Sequence, residues 1–262
     1  MLLAALVMSA WGCGEEEAVG EGTLSLEIWG EEYIEEEIPA ADFEDGWGIT
    51  YTKFLVNVSD IAAAQDGSDP SLTAPEAKIW DMTMVGPHAI AQADVEAGDY
   101  THTAYVIAPA DGTSAAGNAA PADVQLMNDN GYSVYVEGSA TDGTVTKTFA
   151  WAFDTATTYD PCHSIGALED GGTATIQLTI HGDHLFYDSA VSSDPVLRFA
   201  EIALADADGD DAVTQAELAA FSLNTLATHG VGSLDIDNMW DYIHHMTTTL
   251  GHIDGEGHCD MQ

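Results

Sequence analysis

A chain of 262 residues, 46% of them hydrophobic, has apolar surface enough for one large or two ordinary domains, and is no disordered acidic polymer. Against 45 Asp and Glu stand only Lys53, Lys78, Lys147 and Arg198, a formal charge of -41. That balance argues against nucleic acid as a partner and against direct adhesion to anionic lipid, since both need a cationic face; it suits a salty or divalent-rich exterior where counterions screen self-repulsion.

The chain opens with an apolar run, Met1 to Gly12, that ends in small residues and Cys13. The run is too short to span a bilayer as a mature helix. It resembles a bacterial lipoprotein signal, which implies an exported, membrane-anchored protein with Cys13 as the lipidated first residue. Two positions depart from that pattern: no Lys or Arg precedes the run, and Trp11 stands where a small residue is usual. The competing reading is a buried amino-terminal strand. The acidic, glycine-bearing stretch Gly14 to Gly22 reads as a tether.

From Thr23 to about Ile180 the pattern is β. Thr23 to Trp29 alternates, with Leu24, Leu26 and Ile28 on one face. A second run spans Trp47 to Ile61, and Gln65 to Ala77 is loop by composition. Further strands are predicted near Lys78–Val85, Asp99–Ile107, Gly131–Gly138, Thr144–Phe153 and Thr173–His181, separated by turn residues such as Thr141-Asp142-Gly143. Seven or so short strands predict an antiparallel β-sandwich over residues 23–184. Val95 to Tyr100 resembles, over that one strand, the Gly-x-Tyr strand entry of transthyretin-like and carbohydrate-binding sandwiches.

Ten histidines beside four Lys and Arg is an unusual ratio, and several fall late in the chain. His181 follows a strand whose Ile176, Leu178 and Ile180 face inward, so it starts on the outward side, and Gly182 allows a turn that brings His184 beside it. His181 and His184 are therefore candidate ligands of a second metal site, for zinc or copper, with Asp241, His244, His245, His252 and His258 as further donors. No His-Glu-x-x-His or paired Cys-x-x-Cys motif is present. The competing reading makes these histidines capping or hydrogen-bonding residues. His88 and His102 read as surface or packing residues.

After about Leu185 the period changes from two to 3.6, and residues 185–262 are predicted to form a small helical region and tail. Within it lies Asp206-Ala207-Asp208-Gly209-Asp210-Asp211-Ala212-Val213-Thr214-Gln215-Ala216-Glu217. Acidic residues at positions 1, 3 and 5, a hydroxyl at 9 and a glutamate at 12 resemble the calcium loop of an EF-hand. The resemblance covers Asp194 to Leu226 and implies Ca2+ held by Asp206, Asp208, Asp210, the Ala212 carbonyl, Thr214 and Glu217. Asp194-Pro195 is expected to start the entering helix, Leu218, Phe221 and Leu223 to line the exit helix, and Val213 to point into the core. Position 6 departs from the family: Asp211 replaces the usual glycine, where the backbone takes a positive φ. Asp235 and Asp237 begin like a partner loop, but its twelfth position would be Met246. A last helix is expected near Ile236 to Leu250.

Cys162 and Cys259 remain. An exported chain with two such cysteines pairs them most simply as a disulfide; the alternative is a zinc site from Cys162-His163 and His258-Cys259. Ser164 has no Gly-x-Ser-x-Gly elbow around it, and no phosphate-cradling loop is present. The sequence thus points to a calcium-binding exported module rather than an enzyme. The alternatives are a zinc- or copper-binding lipoprotein and a metal-dependent hydrolase; the sandwich's own ligand is not specified.

Overall fold

The computed structural model describes residues 20–164, 166–226 and 228–262. Strand β1 (Glu21–Trp29) leads through the short helix α1 (Glu31–Glu35) to the long β2 (Gly48–Ala64). There follow β3 (Leu72–Ala74), β4 (Lys78–Asp81), β5 (His88–Glu96), β6 (Gly98–Tyr100), β7 (His102–Ile107) and β8 (Ala115–Ala116). After helix α2 (Pro121–Asn130) come β9 (Val134–Thr141), β10 (Thr146–Phe153), β11 (Thr157–Cys162), β12 (Gly166–Leu168) and β13 (Thr173–Ile180). The remainder alternates short helices and strands: α3 (Ala200–Ala203), β14 (Ala212–Val213), α4 (Gln215–Ala220), α5 (Met239–Met246), β15 (Gly251–Ile253) and β16 (Cys259–Met261).

The chain is mainly β, arranged in several sheets. One sheet runs β15-β13-β1-β5; a larger one runs β14-β10-β9-β2-β7-β11-β16, with β3 and β4 also on β2 and β8 on β4; β12 and β6 form a separate antiparallel pair. The alternation read in β1 is present, with Leu24, Leu26 and Ile28 at 0% exposure. The pairing is not purely antiparallel as expected: β1 with β13, β10 with β14 and β4 with β8 are parallel. Parallel neighbours need long crossovers. The chain between β1 and β13 supplies one, and hydrophobic alternation carries no information on strand direction.

Strand β2 pairs with β9 and β4 in its first half and with β7 and β3 in its second, with irregularities at Tyr51/Lys53 and Ser59/Ala62. Asp60, at φ 52°, sits in the second irregularity, where an extra residue bends the strand between partners.

Several expectations are corrected. Glu21 and Gly22, read as the end of the tether, pair in β1, and Gly14 to Val19 lie outside the described residues. β3 lies inside the stretch read as loop, and β5, β11, β12 and α2 were not predicted, although Pro121 at the first helical turn and Gly131 at φ 67° after the last bracket α2 in the usual way. The entering helix does not start at Asp194-Pro195: it is the four-residue α3, because Leu197 is held in bridges to Phe43 and Tyr187. Its first N–H groups, of Phe199 and Ala200, donate to Asp45 Oδ2 at 2.8 and 2.7 Å, a cap from distant sequence. The last helix is shorter than its apolar stripe, ending at Met246 before the tight turn Thr247–Thr249.

Residues after 185 share the main core. Phe186, Phe199, Ile202, Val213, Leu218, Ile243 and Met246 join the cluster formed by Leu26, Phe54, Val136 and Trp151. Tyr105 and Tyr159, stacked at 4.8 Å, tie the larger sheet to the carboxy-terminal turn. Their hydroxyls donate to the carbonyls of His252 and Thr248 at 3.0 Å each. No helix among the described residues is long and apolar enough to cross a membrane.

Candidate metal centre

The end of β13 builds the site. β15 pairs antiparallel with it, Thr179 opposite His252, and the His181 N–H donates to the Leu250 carbonyl at 2.9 Å. A residue two places beyond a facing pair is its diagonal neighbour on the same face. His181 therefore lands beside His252, ring centroids 4.2 Å apart. Gly182 opens a tight helical turn to Phe186 under Tyr51, whose hydroxyl donates to the Gly182 carbonyl at 2.7 Å. A side chain on Gly182 would press on Ile34 at 2.7 Å. The turn carries His184 to 5.4 Å from His181 and 5.0 Å from His252, centroid to centroid.

The ligating nitrogens of His181, His184 and His252 all lie within 4.8 Å of one another. On a tetrahedral ion with metal–nitrogen bonds of about 2.0–2.1 Å, donors sit roughly 3.4 Å apart. The triad therefore needs no more than about 1.4 Å of movement between any two donors, within the reach of side-chain adjustment. All three rings are buried, although His181 was expected on an outward side. The tail covers that side: Thr179 Oγ1 donates to the Gly255 carbonyl at 2.9 Å, and His181 Nε2 lies 3.3 Å from the same oxygen.

Partners behind the rings fix them. His184 Nδ1 pairs with Thr249 Oγ1 at 3.0 Å, which leaves Nε2 for a ligand. His181 has Glu31 Oε2 at 3.5 Å and Asp183 Oδ1 at 4.0 Å, and Tyr187 donates to Asp183 Oδ2 at 3.0 Å. Carboxylates behind a ligating imidazole orient it and raise its basicity. Burial raises both Asp183 and Glu31, and the nearby His181 opposes the rise. Burial, then the neighbouring His181, lowers His184 and His252 to about 3. Both rings are neutral at pH 7, the form that binds a metal. His252 Nδ1 is buried with no hydrogen-bond partner, an arrangement that costs free energy unless something fills it.

A cleft of about 580 Å³ opens on His184 and His252, lined also by Met246, Glu256 and His258.

The acidic loop lies elsewhere, at the edge of the larger sheet. Asp206, Asp208 and Asp210 bring a carboxylate oxygen each within 4.8 Å of the others. Asp206 accepts from the Gly209 and Asp211 N–H groups at 2.8 and 3.1 Å. Asp208 accepts from Asp210, and Asp210 from the Ala212 N–H. Asp211 takes φ 67°, the conformation that position 6 demands. Ala212 and Val213 run beside Thr148 and Phe149, and Val213 is buried. Thr214 caps α4 reciprocally with Glu217, whose Oε1 reaches the Ala207 N–H at 3.0 Å. One feature was not foreseen: Lys147 Nζ sits on Asp206 Oδ2 at 2.6 Å and Asp211 Oδ1 at 2.8 Å. Those carboxylates push Lys147 up to about 12, while Lys147 in turn lowers Asp206.

The remaining candidates are dispersed. Cys162 and Cys259 form a disulfide between facing positions of β11 and β16, which excludes the two-cysteine zinc site. His244 pairs with Asp154 at 2.8 Å, and His102 lies 3.5 Å from Asp160. His88 Nε2 is 2.9 Å from the Met84 carbonyl. Asp241 is capped by Asn238 through its N–H at 2.9 Å. None of these joins the triad, and Cys13 lies outside the described residues. Of the three histidines, His252 is the one that no local pattern brings to the others, since only the β13–β15 register places it. Compared with protein-family models, with curated proteins and with solved structures, the chain finds no match.

Proposed function

We propose that the protein binds a single transition-metal ion, zinc or copper, through His181, His184 and His252. The observation that carries this reading is the convergence of three buried imidazoles, one of which, His252, has a buried nitrogen without a hydrogen-bond partner. A structural histidine cluster would be expected to satisfy its nitrogens. Imidazole donors with no thiolate suit zinc and copper over calcium or magnesium. The test is metal content and calorimetric titration with Zn2+ and Cu2+. One equivalent should bind to the parent, and none of comparable affinity to a His181→Ala, His184→Ala double variant. A parent with no affinity for either ion ends the reading.

Calcium at Asp206, Asp208, Asp210, Ala212, Thr214 and Glu217 is a second, structural part of the proposal. Its support is the clustered carboxylates and the left-handed Asp211 of an EF-hand-like loop. We place the protein outside the cytoplasm, lipid-anchored at Cys13. The disulfide supports that placement, because such bonds persist in oxidising compartments. Cys13→Ser should move the protein from the membrane to the soluble fraction; an unmodified Cys13 in mature protein rules the anchor out.

A further inference from the structure

A three-histidine centre leaves a tetrahedral ion one ligand short. We infer that His258 supplies the fourth, swung in from the tail that the Cys162–Cys259 disulfide holds against the site. This rests on the triad being a metal centre.

His258 is exposed, yet its ring lies 5.7 Å from that of His252 and lines the same cleft as His184 and His252. Two imidazoles on one tetrahedral ion have ring centroids roughly 5 Å apart, given metal–nitrogen bonds of about 2.0–2.1 Å. The gap to be closed is therefore that of a side-chain rotation. His258 is not yet among the converged donors, so the move is required. The backbone that carries it is held on both sides. The Gly257 N–H donates to the Ile253 carbonyl at 2.9 Å, the His163 N–H donates to the His258 carbonyl at 3.4 Å, and Cys259 is bonded to Cys162. Between Ile253 and His258 the chain turns through Asp254 at φ 47° and Gly255 at φ 81°, a tight loop closed under the histidines. The disulfide acts as a positioning element: it fixes how far His258 stands from the triad and never touches the metal.

Two other groups compete for the fourth position. Glu256 lines the cleft but is a carboxylate, and Met246 offers a thioether from within the core. A fourth imidazole makes an all-nitrogen set, which suits zinc and copper.

The experiment titrates Co2+ and Zn2+ into the full chain and follows the visible cobalt bands, which are intense only for a four-coordinate ion. The parent should show them at one equivalent. His258→Ala, at an exposed position, should fold normally, lose the parent's band pattern as water takes the vacated position, and bind more weakly. Added free imidazole should restore the bands. A Cys162→Ser, Cys259→Ser double variant should show the same loss, while Glu256→Gln should match the parent. A His258→Ala protein identical to the parent overturns the inference and leaves the triad reading standing. Loss in Glu256→Gln instead gives the position to the carboxylate and also overturns it. A parent that binds neither ion removes the underlying reading as well.

Discussion

At the scale of single residues, His184 and His252 carry an acid-sensitive load. His184 and His252 titrate near 3 when folded, against about 6.5 for a free imidazole. As pH falls below about 6.5 the unfolded chain takes up protons that the folded one refuses until near 3. Their contribution to stability is complete above 6.5 and is lost through that window, at most about 1.4 kcal/mol per pH unit for each ring. Asp183 acts in the opposite sense, since its raised pKa favours the folded state at low pH and that benefit fades as pH rises. Replacing His252 with Gln removes one imidazole and leaves Asp183 in place, so comparison with the parent isolates the histidine. Urea midpoints of the metal-free protein between pH 4 and pH 7 should fall with acidification, and more steeply in the parent than in His252→Gln. Parallel curves would show that His252 is not held neutral by burial.

At the scale of elements, the acidic loop is a turn-strand-helix unit pinned to β10. β14 adds to the sheet edge where a paired EF-hand would add to its partner, so the lone loop takes its bracing from the larger sheet. Trp151 Nε1 donates to the Val213 carbonyl at 2.8 Å and fastens it from beneath. Lys147, from the same strand, places an ammonium where a cation belongs. Calcium would have to displace it, and with no partner hand this points to the weak, extracellular end of the range, roughly 10⁻⁴–10⁻³ M. Lys147→Gln should therefore bind calcium several-fold more tightly. Glu217→Gln should bind far more weakly, because it removes the closing carboxylate and the reciprocal cap of α4 together. Calorimetry on both variants checks this, and an unchanged isotherm in Glu217→Gln moves the site elsewhere.

At the scale of the molecule, the Cys162–Cys259 bridge spans 97 residues of sequence and encloses both candidate sites. Closing a loop of that length is worth about 4–5 kcal/mol by chain entropy. Reduction should lower the urea midpoint accordingly and weaken metal binding along with it. Thiol labelling of native, unreduced protein should find neither cysteine reactive, and labelling of both without reductant contradicts the bridge. The charge of -41 acts over the same scale: self-repulsion opposes the compact state, and screening counterions relieve it.

Composition and period alone determined the β character of residues 23–180, since alternation such as Leu24, Leu26 and Ile28 reports a half-buried strand whatever its partners. The acidic loop was legible for a similar reason: its spacing is local, and Asp211 takes the conformation that spacing requires. Two lone cysteines left the bridge as their simplest pairing. Strand direction was not legible, because a hydrophobic period is the same in parallel and antiparallel neighbours. The helix α3 was misplaced because a tertiary bridge through Leu197 and a cap from Asp45 set its start. The triad needed the fold most. His181 and His184 are near in sequence, but His252 stands about seventy residues on and meets them only through the β13–β15 register. Lys147 on Asp206 is the same kind of fact, an ion pair across 59 residues that no local pattern encodes. Local spacing decides what a segment prefers; which segments meet is decided by the packing of the whole chain.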